Sequence, residues 1–189
     1  MKSMVRYGLS NGFGSVFCTL ATVVLASGLY AQPALAHHPL GGRLPANAFE
    51  GLMSGLAHPI LGPDHFLFVL AIGLLALRVS VGLWLPVAFV LGGLGGAAFH
   101  LSSGSLPLVE VGVTGSLLLA GVFLARQAEP KSLWILGLGA IAGLFHGYAF
   151  GEAIFGAEMT PLWSYLIGLT VVQLGVAATV YAVAKAATA

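Results

Sequence analysis

The sequence predicts an all-α bundle of membrane-spanning helices. Three observations lead there. Only 7% of the 189 residues are charged, where a soluble domain carries about 25%. Hydrophobic residues make up 58% of the chain and the mean hydropathy is +0.99, which leaves too little polar surface to cover a globule. The apolar residues also come in long unbroken segments, the pattern of spanning helices and not of the alternating strands of a membrane barrel.

Taken in order, residues 1–36 read as a secretory leader. Lys2 and Arg6 form a basic start, Phe13 to Leu29 an apolar core, and Ala34-Leu35-Ala36 a small-x-small cleavage site. Cleavage leaves His37 as the new N-terminus and residues 37–189 as a single transmembrane domain. An uncleaved leader would instead be an anchoring helix, the first of six. Cys18 is the sole cysteine and lies in the leader, so the mature chain is expected to have neither disulfides nor thiolate metal sites.

Five long apolar segments follow: Ile60 to Leu77, Leu83 to His100, Leu106 to Ala125, Leu133 to Phe150 and Leu162 to Ala184. Each approaches the ~20 residues that a spanning helix needs. Ala46 to Ala57 is too short to span; it is expected to form an extra helix, either interfacial, re-entrant or continuous with the first span. Short loops imply one compact bundle. Both readings of the leader put residue 37 outside. Alternating from there places Arg78, Arg126, Lys131 and Lys185 on the cytoplasmic side and only Arg43 outside, as the positive-inside rule expects. This orientation fits a bacterial inner membrane protein with its mature N-terminus outside and its C-terminus in the cytoplasm.

With that topology all six histidines fall in the outer half, together with five of the six acids; only Glu129 is cytoplasmic. Scattered structural histidines would not segregate so. His58-Pro-Ile-Leu-Gly-Pro-Asp64-His65 is the first cluster. On a regular helix at about 100° per residue, His58 and His65 would share a face. Pro59 and Pro63 interrupt that pattern, and Pro63 is expected to open a helix with Asp64 in its first turn. The plain alternative makes Asp64 a helix-dipole acid and His58 an interfacial residue. That alternative leaves unexplained a second imidazole just inside an apolar segment, where polar groups are costly. The second cluster is Phe145-His146-Gly-Tyr148-Ala-Phe150-Gly-Glu152.

Imidazoles and carboxylates together suit a borderline transition-metal ion such as nickel, cobalt or zinc. The candidate ligands are His58, Asp64, His65, His146 and Glu152, with His100, Glu110, His37 and His38 as lesser candidates. His37 and His38 would chelate with a freed α-amine. Gly139, Gly143, Gly147 and Gly151 recur every four residues, and Gly92, Gly93, Gly95 and Gly96 cluster on the second span. Such smooth faces let backbones approach closely, within the chain or in a homo-oligomer. A net charge of +1 gives no case for nucleic-acid binding, and the sequence contains no nucleotide-binding loop, nucleophile elbow or zinc-protease motif.

At these residues the chain resembles the HupE/UreJ family of hydrogenase and urease accessory proteins. His58, Asp64 and His65 match that family's His-x5-Asp-His motif. Phe145, His146, Gly147, Ala149, Gly151 and Glu152 match its Phe-His-Gly-x-Ala-x-Gly-x-Glu motif. The resemblance spans nearly the whole mature chain. One departure is Phe150, where many members carry a second histidine. The resemblance implies a permease, not an enzyme, without a prosthetic group, taking up Ni²⁺ or Co²⁺ as cargo for metalloenzyme or cobalamin assembly. The competing reading is an intramembrane zinc-dependent hydrolase, with Ser102 and Ser103 beside His100 and no serine within a span beside the main motif.

Overall fold

A computed structural model describes residues 43–126 and 131–188. The leader, His37, His38 and Glu129 lie outside the described residues. Six helices and no strands are present among those residues. They are α1 (Ala48–Leu61), α2 (Pro63–Leu75), α3 (Trp84–Leu101), α4 (Val109–Ala125), α5 (Ser132–Glu152) and α6 (Met159–Thr188). The all-helical expectation holds. Three of the helices, α3, α5 and α6, are long and apolar enough to cross a membrane. The α1–α2 pair passes the same test only as one broken span, which brings the count to four. The 17 residues of α4 are apolar but shorter than the ~20 of a spanning helix.

The short helix expected near 46–57 is α1, and Pro63 opens α2 as expected, so the apolar segment from Ile60 is divided between two helices. The chain bends by 80° between α1 and α2. Sequence chemistry accounts for the break. Pro59 removes a backbone donor within α1, Gly62 caps that helix in an extended conformation, and Pro63 occupies the first turn of α2. The start of α1 is equally well specified. The Asn47 side chain accepts from the Glu50 amide, and the Glu50 carboxylate takes the Ala46 amide and both arms of the Arg43 guanidinium.

The glycines assemble the helices in pairs. A Cβ on Gly143 would lie 2.0 Å from the Phe89 carbonyl oxygen, and one on Gly147 would lie 1.9 Å from that of Gly93. Gly92 and Gly96 of α3 approach Ala140 and Leu144 of α5 just as closely. The expected seam is therefore real, and it is filled by another helix of the same chain. Gly95 faces open space and takes no part. In the same way Gly51 and Gly55 of α1 lie against the backbone of Pro161 and Tyr165 in α6. Between the pairs sits an apolar core of Phe68, Ile72, Leu85, Phe89, Leu117, Ala142 and their neighbours.

Exposed tryptophans mark the rims. Trp84 and Trp134 lie at the starts of α3 and α5, and Trp163 near the start of α6. Aromatic rings at helix ends are the usual boundary residues of a membrane bundle.

Candidate functional site

The break between α1 and α2 carries His58 and His65 to one end of the bundle on two separate helices. His58 sits in the last turn of α1, and His65 in the first turn of α2. The α3–α5 seam fixes α5, which presents His146 to the same place. All three imidazoles are buried, and His146 is 0% exposed. His65 Nδ1 lies 2.8 Å from His146 Nδ1, joining the two sequence motifs directly. The His58 and His65 ring centroids are 6.3 Å apart. Asp64 lies at the mouth with its side chain 41% exposed, its Oδ2 4.0 Å from His65 Nε2.

Gly62 gives this cluster its space. A Cβ there would sit 2.8 Å from His65 Cδ2, so a larger residue would push the ring aside. Phe150 roofs the site, with ring centroids 5.2 Å from His58 and 4.4 Å from His65. The position where many family members carry histidine is thus in contact with both imidazoles of the first motif.

Other predicted residues stand apart. Glu152 ends α5 and is exposed, and Glu110 is exposed in the first turn of α4. His100 packs its ring edge-on to Tyr148, and its Nδ1 is buried with no hydrogen-bond partner among the described residues. No group of three or more His, Cys, Asp or Glu side chains is gathered closely enough to hold a metal ion among the described residues.

Two partners escaped the sequence reading. Ser116, mid-way along α4, places its Oγ 3.0 Å from His146 Nε2 and donates to the Val113 carbonyl at 2.7 Å. Tyr165 of α6, wholly buried, lies 3.0 Å from His58 Nδ1 and donates to the Phe150 carbonyl at 3.0 Å. Ser116 contacts the second motif, not the first, and lies in the short helix α4. Its signal in the sequence is slight: one hydroxyl in an apolar helix, more often a back-bonded helix serine than a site residue. Ser102, by contrast, donates to Phe99 within its own helix end. Beyond Ser116, away from Asp64, an apolar cavity of ≈ 40 Å³ opens among Phe68, Ile72, Leu75, Phe123 and Ile135.

Buried imidazoles linked across apolar helices define a polytopic α-helical membrane protein with a polar site at one end of its bundle. The family pattern described as HupE / UreJ protein matches residues 24–189, and the chain belongs to the HupE/UreJ family. It is similar to Protein HupE of Rhizobium leguminosarum bv. viciae, 30% identical over 144 residues that cover 74% of this chain and 68% of the relative. No solved structure matches it.

Proposed function

We propose that the protein is a membrane permease for divalent transition-metal ions, with Ni²⁺ the principal cargo and Co²⁺ a second, supplying metalloenzyme or cobalamin assembly. The observation that carries the proposal is the contact of His65 with His146 beside His58 and Asp64. Residues 81 positions apart converge on a buried imidazole cluster at one end of an apolar bundle. Neutral imidazoles provide borderline nitrogen ligands, and the Asp64 carboxylate offsets cationic charge at the mouth. In the orientation set by the basic residues, this end faces outward in the inner membrane. His100, Glu110 and Glu152 would then line the approach from outside. The apolar cavity beyond Ser116 offers an ion few ligands, which favours release over retention on the inner side.

The hydrolase reading gains a serine beside a histidine, but the Ser116 hydroxyl is back-bonded to the Val113 carbonyl at 2.7 Å, which competes for the proton that a serine nucleophile must give to the imidazole.

The test is accumulation of ⁶³Ni in cells lacking their own nickel uptake. Cells expressing the full chain accumulate the label, and His65→Ala and Asp64→Ala abolish the gain. Equal accumulation by both variants and the parent would remove the site as drawn. Competition by cobalt and zinc in the same cells ranks the cargo.

A further inference from the structure

The cavity beyond Ser116 is arranged in a way that core packing alone does not require. Three helices form most of its wall, each with one stripe of residues spaced three or four apart, and Leu85 of α3 completes it. On α2 the stripe is Phe68, Ile72 and Leu75, and the next position outward at that spacing is His65. On α5 it is Ile135, Gly139 and Ala142, and the next position outward is His146. On α4 it is Phe123, Ala120 and Ser116, whose Oγ lies 3.0 Å from His146 Nε2. Residues at such spacing share a helix face. The faces that carry His65, Ser116 and His146 are therefore the faces that enclose the void. It runs from those three groups to the opposite end of the bundle. Leu75 is the last residue of α2, Phe123 lies in the last turn of α4, and Ile135 in the first turn of α5. Among the described residues, neither α1 nor α6 contributes to the wall.

We propose that this tube between α2, α4 and α5 is the inner half of the ion path, and that its apolar wall around Ile72 is the gate. The inference rests on the permease reading of the imidazole cluster above it. A volume of ≈ 40 Å³ holds roughly three waters at about 10–15 Å³ each. That is too little for a divalent ion with its hydration shell. Ser116 has the one polar side chain in the wall among the described residues, so the protein offers little to replace the waters an ion would shed. An apolar constriction of this kind excludes ions until it widens and fills with water. The structure is thus closed on its inner side. Side-chain ends, not backbone, close it at the level of Gly139. A Cβ added to that glycine would lie 2.9 Å from Leu85 Cδ1 and 3.9 Å from Ile72 Cδ1. Such ends move by changing rotamer, so the tube can widen there without parting the helices.

The experiment uses purified full-length protein. A nickel-sensitive dye sealed in liposomes reads Ni²⁺ influx, and titration calorimetry reads Ni²⁺ affinity for the same variants. Ala120 faces the void and is 5% exposed. Ala120→Leu fills the tube, so influx falls to that of protein-free liposomes while affinity stays parental. Ile72 is 2% exposed. Ile72→Thr keeps the branched side chain and puts a hydroxyl in the wall, so influx rises severalfold at parental affinity. A residue that only packs the core would not speed influx when made polar. Should Ala120→Leu fail to fold, Ile72→Thr carries the test. Parental influx through folded Ala120→Leu, or no gain in Ile72→Thr, overturns the path and leaves the permease reading standing. Parent protein that gives no influx overturns the permease reading and the path with it.

Discussion

The two ends of the bundle use polar groups for opposite purposes. At the histidine end, side chains from α1, α2, α4, α5 and α6 bond to one another across helices, and the links converge on imidazoles. At the other end the polar groups close helix ends. Arg78, just beyond α2, donates to the Leu124 and Arg126 carbonyls and so satisfies the last turn of α4. Ser80 and Ser132 join the start of α5 to the α2–α3 loop. A basic residue at a helix C-terminus needs no ligand to explain it, since it completes backbone bonds and opposes the helix dipole. Buried imidazoles with side-chain partners have no such local account. The comparison therefore separates a scaffold end from a site end within one short chain.

The scaffold itself offers the largest effect. Gly143→Ala puts a methyl 2.0 Å from the Phe89 carbonyl oxygen, so α3 and α5 must part. It should cost about 3 kcal/mol or more, in line with severe overpacking. Denaturant unfolding in detergent would read this, and loss of the histidine contacts should follow. Next comes Arg78→Ala, which strips a charged donor from the α4 carbonyls and should cost about 1.5–3 kcal/mol. Metal uptake per folded molecule should stay at the parental level, because the damage is confined to the scaffold end. An uptake defect larger than the stability defect would erase the distinction between the ends.

Phe150→His sharpens the comparison from the site side. Its ring centroid lies 4.4 Å from that of His65, so a fourth imidazole there would tighten Ni²⁺ binding with little change in stability. Calorimetric titration measures the change, and unaltered affinity would mean that the cargo binds away from the roof of the cluster. Gly95→Ala is the smallest. Nothing lies within 4 Å of the added methyl. The substitution should be neutral or slightly stabilising, as expected when alanine replaces an unneeded helical glycine.

Much of this was legible in the sequence, for physical reasons that differ by element. Composition forced the helical class, because a chain with 7% charge has few other ways to satisfy its backbone in lipid. The four-residue glycine spacing announced the α3–α5 seam, because helical geometry puts i and i+4 on one face. Pro59 and Pro63 announced a break but not its 80° angle, which is set by how α1 packs on α6 and α2 on the core. The meeting of His65 with His146 could be narrowed only to one end of the bundle, since depth along two helices does not fix which faces meet. Ser116 and Tyr165 were out of reach. Their roles depend on a single helix face and a three-group hydrogen-bond chain, and no local pattern encodes either. Glu152 shows the converse: its motif membership is clear, yet it lies exposed at the end of α5 and away from the imidazole pair.

The central claim is that the histidine end receives the ion through His65. The direct measurement is Ni²⁺ influx into liposomes that contain the purified full chain and a nickel-sensitive dye. Parent protein should give saturable influx. His65→Asn removes the imidazole that meets His146 at 2.8 Å and should abolish influx. Influx by His65→Asn equal to that of the parent would contradict the account.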